Sequence, residues 1–159
     1  MMIPKRNALN KLILLLLIKL SGKVNGATRL QKLVFSVQSE GRKNKYLTFN
    51  YKFVRWHYGP YCKELTEDIN FLFKSGLITN EDNSFELKEK GLNIIQDIDS
   101  DTLEIINKEE YLQEILNKYN NLDIVVLLRR IYDDYNIEKD YEMGDVILPV
   151  LSFYEYEYE

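Results

Sequence analysis

Residue types that build disulfides, metal sites and flexible linkers are scarce in this sequence. Its one cysteine, Cys62, has no partner for an internal disulfide bond, which favours a reducing compartment. Its one histidine, His57, has neither a second histidine nor a cysteine pair with which to hold a metal ion. Three prolines and seven glycines leave no room for a long flexible linker. We therefore expect one compact folding unit without a metal site.

A long apolar segment is also missing. Residues 12–18 are all leucine or isoleucine, but Lys11 precedes them and Lys19 and Lys23 follow. Seven apolar residues fall far short of the roughly 20 that span a bilayer, and no small-residue cleavage site of a signal peptide follows them. The segment predicts a buried helix with no membrane role, and hence a cytoplasmic protein.

Charge is distributed unevenly along the chain. Residues 1–63 carry 13 Lys or Arg and one acid, Glu40, a net +12, whereas residues 64–159 have a net −16. Such asymmetry indicates either a basic contact surface or a charge match within or between subunits.

Apolar periodicity predicts a mainly α fold (α+β) in which helices precede a small hairpin. Helices are expected at residues 5–20, 28–39, 61–75, 88–98, 102–119 and 122–135, with Gly41 as the stop of the second. Residues 46–56 are expected to be extended, and 77–79 with 84–87 to form the hairpin. Three helices followed by a hairpin is the order of a winged helix-turn-helix core. We expect residues 1–98 to form this winged-helix domain with the hairpin as its wing, and residues 99–159 to be a C-terminal helical extension and tail packed on it.

Four short motifs give a family resemblance. The stretch Leu-Gln-Lys-Leu-Val-Phe at 30–35 and the stretch Tyr-Gly-Pro-Tyr at 58–61, followed by Gly-Leu-Ile at 76–78, resemble the uncharacterised YwgA-like proteins. They are similar, more distantly, to the Panacea (SocA-like) antitoxin and adaptor domain. The late stretch Leu-Leu-Arg-Arg-Ile-Tyr at 127–132, followed by Tyr135, resembles the closing helix of the YwgA-like group. The resemblance therefore covers about residues 28–135. It implies winged-helix-like domains in regulation or toxin–antitoxin contexts, with no catalytic residues to transfer.

Enzymatic chemistry finds little support in the sequence. A phosphate-binding glycine loop and a nucleophile elbow are both missing. Cys62 at a helix start is a weak candidate nucleophile, with His57 as the only base near it in sequence. We expect a non-enzyme without cofactors. The residues expected to form a structural turn into the third helix are Tyr58, Gly59, Pro60 and Tyr61.

Nucleic acid is the leading expected partner. The third helix and wing together carry a net −4 and would repel a duplex, so the usual winged-helix docking is disfavoured. The basic N-terminal half is the expected contact surface. Its candidate nucleic-acid-binding residues are Lys5, Arg6, Lys11, Arg42, Lys43, Lys45, Lys52 and Arg55.

The alternative is a protein-binding adaptor or antitoxin-like module, and an inhibitor that docks on a larger machine is a third interpretation. The adaptor would use the acidic third helix. Its candidate residues are Glu64, Glu67, Asp68 and Phe71.

A late apolar stripe, formed by Ile124, Leu127, Leu128 and Ile131, is equally consistent with core packing and with a homodimer seam.

Overall fold

The computed structural model describes residues 5–98 and 109–152, and this part of the chain is mainly helical with small antiparallel sheets. The helices are α1 (Arg6–Ser21), α2 (Ala27–Lys43), α3 (Lys63–Lys74), α4 (Glu89–Gln96), α5 (Glu109–Tyr119), α6 (Ile124–Asp134) and α7 (Ile137–Asp140). The strands are β1 (Val24–Asn25), β2 (Phe53–Trp56), β3 (Gly59–Tyr61), β4 (Ser84–Phe85) and β5 (Val146–Leu148). The mainly α fold class is confirmed; residues 102–108 of one predicted helix lie outside the described residues.

Helix α1 forms the centre of the core. Leu9 and every residue from Ile13 to Ile18 are at most 2% exposed, because α4 and α5 pack against the helix and its side chains share one apolar cluster with those of α2. The apolar segment is therefore a core element, as its sequence predicts. Gly22, at φ +73°, follows the helix in a conformation that favours glycine.

Helix α2 runs past the expected stop at Gly41. This glycine is buried inside the helix, where an added Cβ would lie 2.7 Å from the Cβ of Thr48. The chain after the helix folds back over it, and the Tyr46 N–H donates to the Gly41 carbonyl at 2.8 Å. Gly41 therefore allows close packing against Thr48 and does not end the helix.

Buried amide side chains hold the expected extended stretch at residues 46–56, of which only β2 is regular strand. Asn10 accepts from the Asn50 N–H at 2.8 Å and donates to the Asn50 carbonyl at 3.3 Å. Gln38 pairs in the same way with Tyr51, at 2.9 and 2.8 Å. Each amide satisfies one backbone donor and one backbone acceptor, as a neighbouring strand would.

The same pairing of an amide side chain with the backbone N–H and carbonyl of one residue occurs at two further positions. Gln31 accepts from the Cys62 N–H and donates to its carbonyl, both at 2.9 Å. The Asn50 side chain donates to the Leu151 carbonyl at 3.1 Å and accepts from its N–H at 2.9 Å. Helix α2 and the end of the described chain are thereby attached to the loops around β2 and β3.

The expected turn at Tyr58–Tyr61 is wrong in position. Gly59–Tyr61 is strand β3, which pairs antiparallel with β2, and the turn is the two-residue loop His57–Tyr58 before it. Gly59 takes φ +93° and lies against the ring of Tyr132. Helix α3 starts at Lys63, two residues later than predicted, because Tyr61 is still paired with β2.

The small strands connect distant parts of the chain. Strand β1 pairs with β4, and β5 adds to the free side of β2, giving the order β3-β2-β5. In the predicted wing, Ile78 bridges Leu87, and Glu81 bridges Ser84. The hairpin is therefore short, and its second arm is joined to the connection between α1 and α2.

Helices α5 and α6 pack on α2 and extend the same apolar core. Arg29, 8% exposed, donates to the carbonyls of Asn120 and Leu122 and closes the end of α5. In the late apolar stripe, Leu127 and Ile131 are fully buried within the chain. These two residues are core, so a homodimer through this region, which stays a prediction, would have to use other residues of the C-terminal helices.

Candidate functional site

A groove of about 750 Å³ separates the β2–β3 hairpin from the start of α3. Its apolar lining includes Val54, Trp56 and Tyr61, and Trp56 is 46% exposed. Charged side chains of both signs line the rest of it. These are Arg6, Lys52, Lys63, Glu64, Glu67 and Asp68.

Two ion pairs join helix α1 to helix α3 beside this groove. Arg6 and Glu64 form a two-point ion pair, with both nitrogen–oxygen distances at 2.9 Å. Lys11 lies 3.7 Å from the Asp68 carboxylate and 4.8 Å from the ring centroid of Phe71. Part of the charge asymmetry is therefore matched within the chain.

Asp68 is buried, and its other partner is the hydroxyl of Tyr51. That hydroxyl donates to the carboxylate at 2.6 Å. Burial raises the pKa of Asp68, while the Tyr51 hydroxyl and Lys11 oppose this rise. Burial and the nearby Asp68 also raise the pKa of Tyr51. Asp68 therefore joins α3 to the core and presents little charge to solvent.

Two candidate arginines hold loops of the chain itself. The Arg42 guanidinium donates to the Asn50 side-chain oxygen at 3.0 Å. Arg55 donates from its side chain to the Tyr141 carbonyl, and its backbone pairs with Gly144 and Asp145 at 2.8 Å each. Both arginines therefore contribute to packing of the loops around β2 and β5.

The other candidate cations are exposed to solvent. Lys5, Lys45 and Lys52 are exposed, and Lys43 lies 3.7 Å from Glu40 with 67% of its side chain exposed. On α3, Glu67 is exposed and Phe71 is 54% exposed. The structure brings Glu64, Glu67 and Asp68 together at the groove, with Phe71 further along the helix.

Cys62 caps helix α3. Its sulfur accepts from the Leu65 N–H at 3.4 Å. Burial raises the pKa of Cys62 to about 11, which outweighs the lowering effect of the backbone N–H groups of the helix. The side chain is a protonated thiol at neutral pH, and the geometry gives it a structural role.

Lys32 is a buried charge to which the sequence pattern gives no role. It is 2% exposed, and its ammonium donates to the Pro60 carbonyl at 3.0 Å. Burial lowers the pKa of Lys32 to about 8. The apolar stripe of α2 passes beside this position, so helical periodicity alone predicts a solvated lysine. Lys32 is buried because the β2–β3 hairpin covers this part of α2, and no local sequence pattern predicts that contact.

Across residues 5–98 and 109–152, no helix is long and apolar enough to cross a membrane. The same ranges contain no group of three or more His, Cys, Asp or Glu side chains arranged to hold a metal ion. Comparison with protein-family models, with curated proteins and with solved structures gives no match. The resemblance to the YwgA-like and Panacea families stays a prediction.

Proposed function

We propose that this protein is a non-enzymatic regulatory module that captures a segment of another protein in the groove between the β2–β3 hairpin and α3. The observation that carries the proposal is the lining of the groove, where an exposed tryptophan adjoins side chains of both charge signs. Protein interfaces are enriched in tryptophan, tyrosine and arginine, which combine apolar area with polar contacts.

The unpaired charges define the partner. Glu64 and Asp68 are held by Arg6 and Lys11, whereas no ion pair within 4.0 Å forms at Glu67, Lys52 or Lys63 among the described residues. Three cations and three carboxylates line the groove, so it does not present the uniformly basic surface that binds a polyanion. A peptide segment with one basic and one acidic residue flanking an apolar anchor fits the groove better.

The proposed scaffold is a variant winged helix. Strand β1 lies between α1 and α2 and pairs with β4 after α3, as the first strand and the wing do in that fold. The β2–β3 hairpin is inserted between α2 and α3. In this arrangement the β2–β3 hairpin lies across the groove from the start of α3.

The test uses a photo-crosslinking amino acid at Asn7, an exposed residue that lines the groove. The control position is Lys139, exposed on α7 outside the groove. The segment of the partner protein that crosslinks through position 7 is then synthesised. Its Kd is measured for the parent protein and for each variant. We expect Trp56→Ala and Glu67→Lys each to weaken binding at least tenfold, with Glu138→Lys as a silent control. Identical crosslinks at both positions, or equal Kd values for all variants, would refute the proposal.

The second candidate is the nucleic-acid-binding function predicted from the basic N-terminal half. It is supported by the exposure of Lys5, Lys43, Lys45 and Lys52. It is weakened by the engagement of Arg6, Lys11, Arg42 and Arg55 within the chain, and Lys43 also lies 3.7 Å from Glu40.

Salt dependence tests this candidate. Each contacted phosphate of a duplex contributes roughly −0.9 to the log–log slope of affinity against salt. Lys43→Gln combined with Lys45→Gln should then flatten the slope by about 1.5 to 2 units. Arg42 is left intact, since its bond to Asn50 makes its replacement structural. Negligible binding to duplex and single strands at low salt would exclude this function.

A further inference from the structure

We propose that a second cavity, which we call the Lys32 pocket, binds a planar aromatic molecule carrying a phosphate or carboxylate group. The cavity has a volume of about 320 Å³ and adjoins the groove at Trp56 and Tyr61, which line both. Its other lining residues come from α2, α3 and the hairpin loop. They are Ala27, Thr28, Gln31, Lys32, His57, Tyr58 and Thr66.

The charge of Lys32 is the first argument. Its ammonium has three N–H donors, of which one is used by the Pro60 carbonyl. No described carboxylate lies within 4.0 Å of it, and no nearby charge contributes to its lowered pKa. A buried ammonium without a counter-ion is unfavourable. An anion in the pocket would supply the missing partner and use the free donors.

A purely structural role does not account for this residue. Fixing the Pro60 carbonyl requires one donor, and a neutral amide does the same one residue earlier, where Gln31 holds Cys62. A neutral side chain would avoid the cost of burying a charge. The positive charge is therefore assigned to binding an anion in the cavity beside it.

The aromatic walls are the second argument. Trp56 and Tyr58 are 46% and 65% exposed, and the ring centroids of Trp56 and His57 are 4.7 Å apart. Aromatic side chains at a cavity mouth stack planar ligands, and a nucleobase or a heteroaromatic acid has such a face. The volume falls at the small end of the range of roughly 300–1,000 Å³ that ligand pockets occupy.

Trp56 is the sole tryptophan of the chain, and its fluorescence reports on the pocket and on the adjoining groove, which the variants Lys32→Met and Lys63→Met distinguish. The probes are two pairs that differ in charge: adenosine 5′-monophosphate with adenosine, and nicotinate with nicotinamide. Inorganic phosphate is the fifth probe. We expect a saturable change in Trp56 fluorescence with at least one of the anions, binding at least tenfold tighter than its neutral counterpart. The phosphate and carboxylate pairs show which anionic group the pocket prefers.

The decisive variant is Lys32→Met. It should lower the affinity for the bound anion to that of its neutral counterpart, while the affinity for the neutral counterpart stays within twofold. Lys63→Met, an exposed lysine of the groove, is the matched control and should bind like the parent. Tyr58→Ala, at an exposed site, should weaken both members of the pair and serves if Lys32→Met does not fold. Absence of saturable binding by either aromatic anion to the folded parent, or equal anion binding by parent and Lys32→Met, would overturn the proposal.

Discussion

The buried ammonium of Lys32 makes a prediction about stability against pH that is independent of any ligand. Burial lowers the pKa of Lys32 from 10.5 to about 8 in the folded protein. Between these two values the unfolded chain binds the proton more tightly than the folded chain. The free energy of unfolding should therefore rise with pH across this window. Below pH 8 the folded state carries the full penalty of the buried charge.

The magnitude follows from the shift. A difference of one pKa unit corresponds to roughly 1.4 kcal/mol, so the whole window is worth about 3 kcal/mol. Of this, about 2 to 3 kcal/mol should appear between pH 7 and pH 10. Other groups also titrate there, but they are common to the parent and to a Lys32→Met variant. The difference between the two proteins therefore isolates Lys32.

The assay is urea denaturation of the parent and of Lys32→Met at pH 7 and pH 10, followed by circular dichroism. We expect the parent to gain stability relative to Lys32→Met on going to pH 10, by the amount given above. Lys63→Met should keep the parental pH dependence, because it leaves Lys32 in place. Parallel stability curves for the parent and Lys32→Met would show that the ammonium is solvated and that its burial is wrong.

Three further predictions concern the core and its connections, each measured by urea denaturation. Leu15→Ala, at a 2% exposed site of α1, should cost about 2–5 kcal/mol by leaving a cavity, and a parental midpoint would contradict its burial. Gly59→Ala should cost more than about 1 kcal/mol, since φ is +93° and the new Cβ would lie 3.1 Å from a ring carbon of α6. Gly144→Ala, at φ +88° with no atom within 4 Å, should cost less, and equal costs would remove the steric part of the argument. Tyr51→Phe should cost about 1–3 kcal/mol by leaving a buried carboxylate without its closest donor; an unchanged midpoint would mean that water replaces the hydroxyl.

Local sequence patterns predict the helices well and the strands poorly. The apolar spacing of α2 and α3 is visible within single turns, so periodicity finds both helices. Strands β1 and β4 are two residues each and pair across about 60 positions, as Val24 does with Phe85. Such a pairing has no local period. Gly41 shows a related error, since a glycine is read as a stop until its contact with Thr48 is known.

For the candidate sites, too, the local sequence predicts one part and tertiary packing determines the rest. The charge asymmetry is visible in the sequence, and an intramolecular charge match is one of its two predicted causes. Which residues match depends on the packing of α1 against α3, which brings Arg6 to Glu64 and Lys11 to Asp68. A basic side chain that is paired in this way and one that is free have the same local sequence signal. A list of cations drawn from the sequence therefore overestimates the surface that remains for a partner.

The buried amides explain why the β2–β3 hairpin, and with it both cavities, is not evident from the sequence. Glutamine in a helix normally indicates a solvated face, but Gln31 and Gln38 take the place of a neighbouring strand beside Cys62 and Tyr51. Strand β3 can therefore be an edge strand against a helix, with Pro60 offering no N–H and its carbonyl held by Lys32. Because side chains of α2 bond to this edge, the β2–β3 hairpin is held against the helix. The groove and the Lys32 pocket both follow from that placement, since each has the hairpin as one wall.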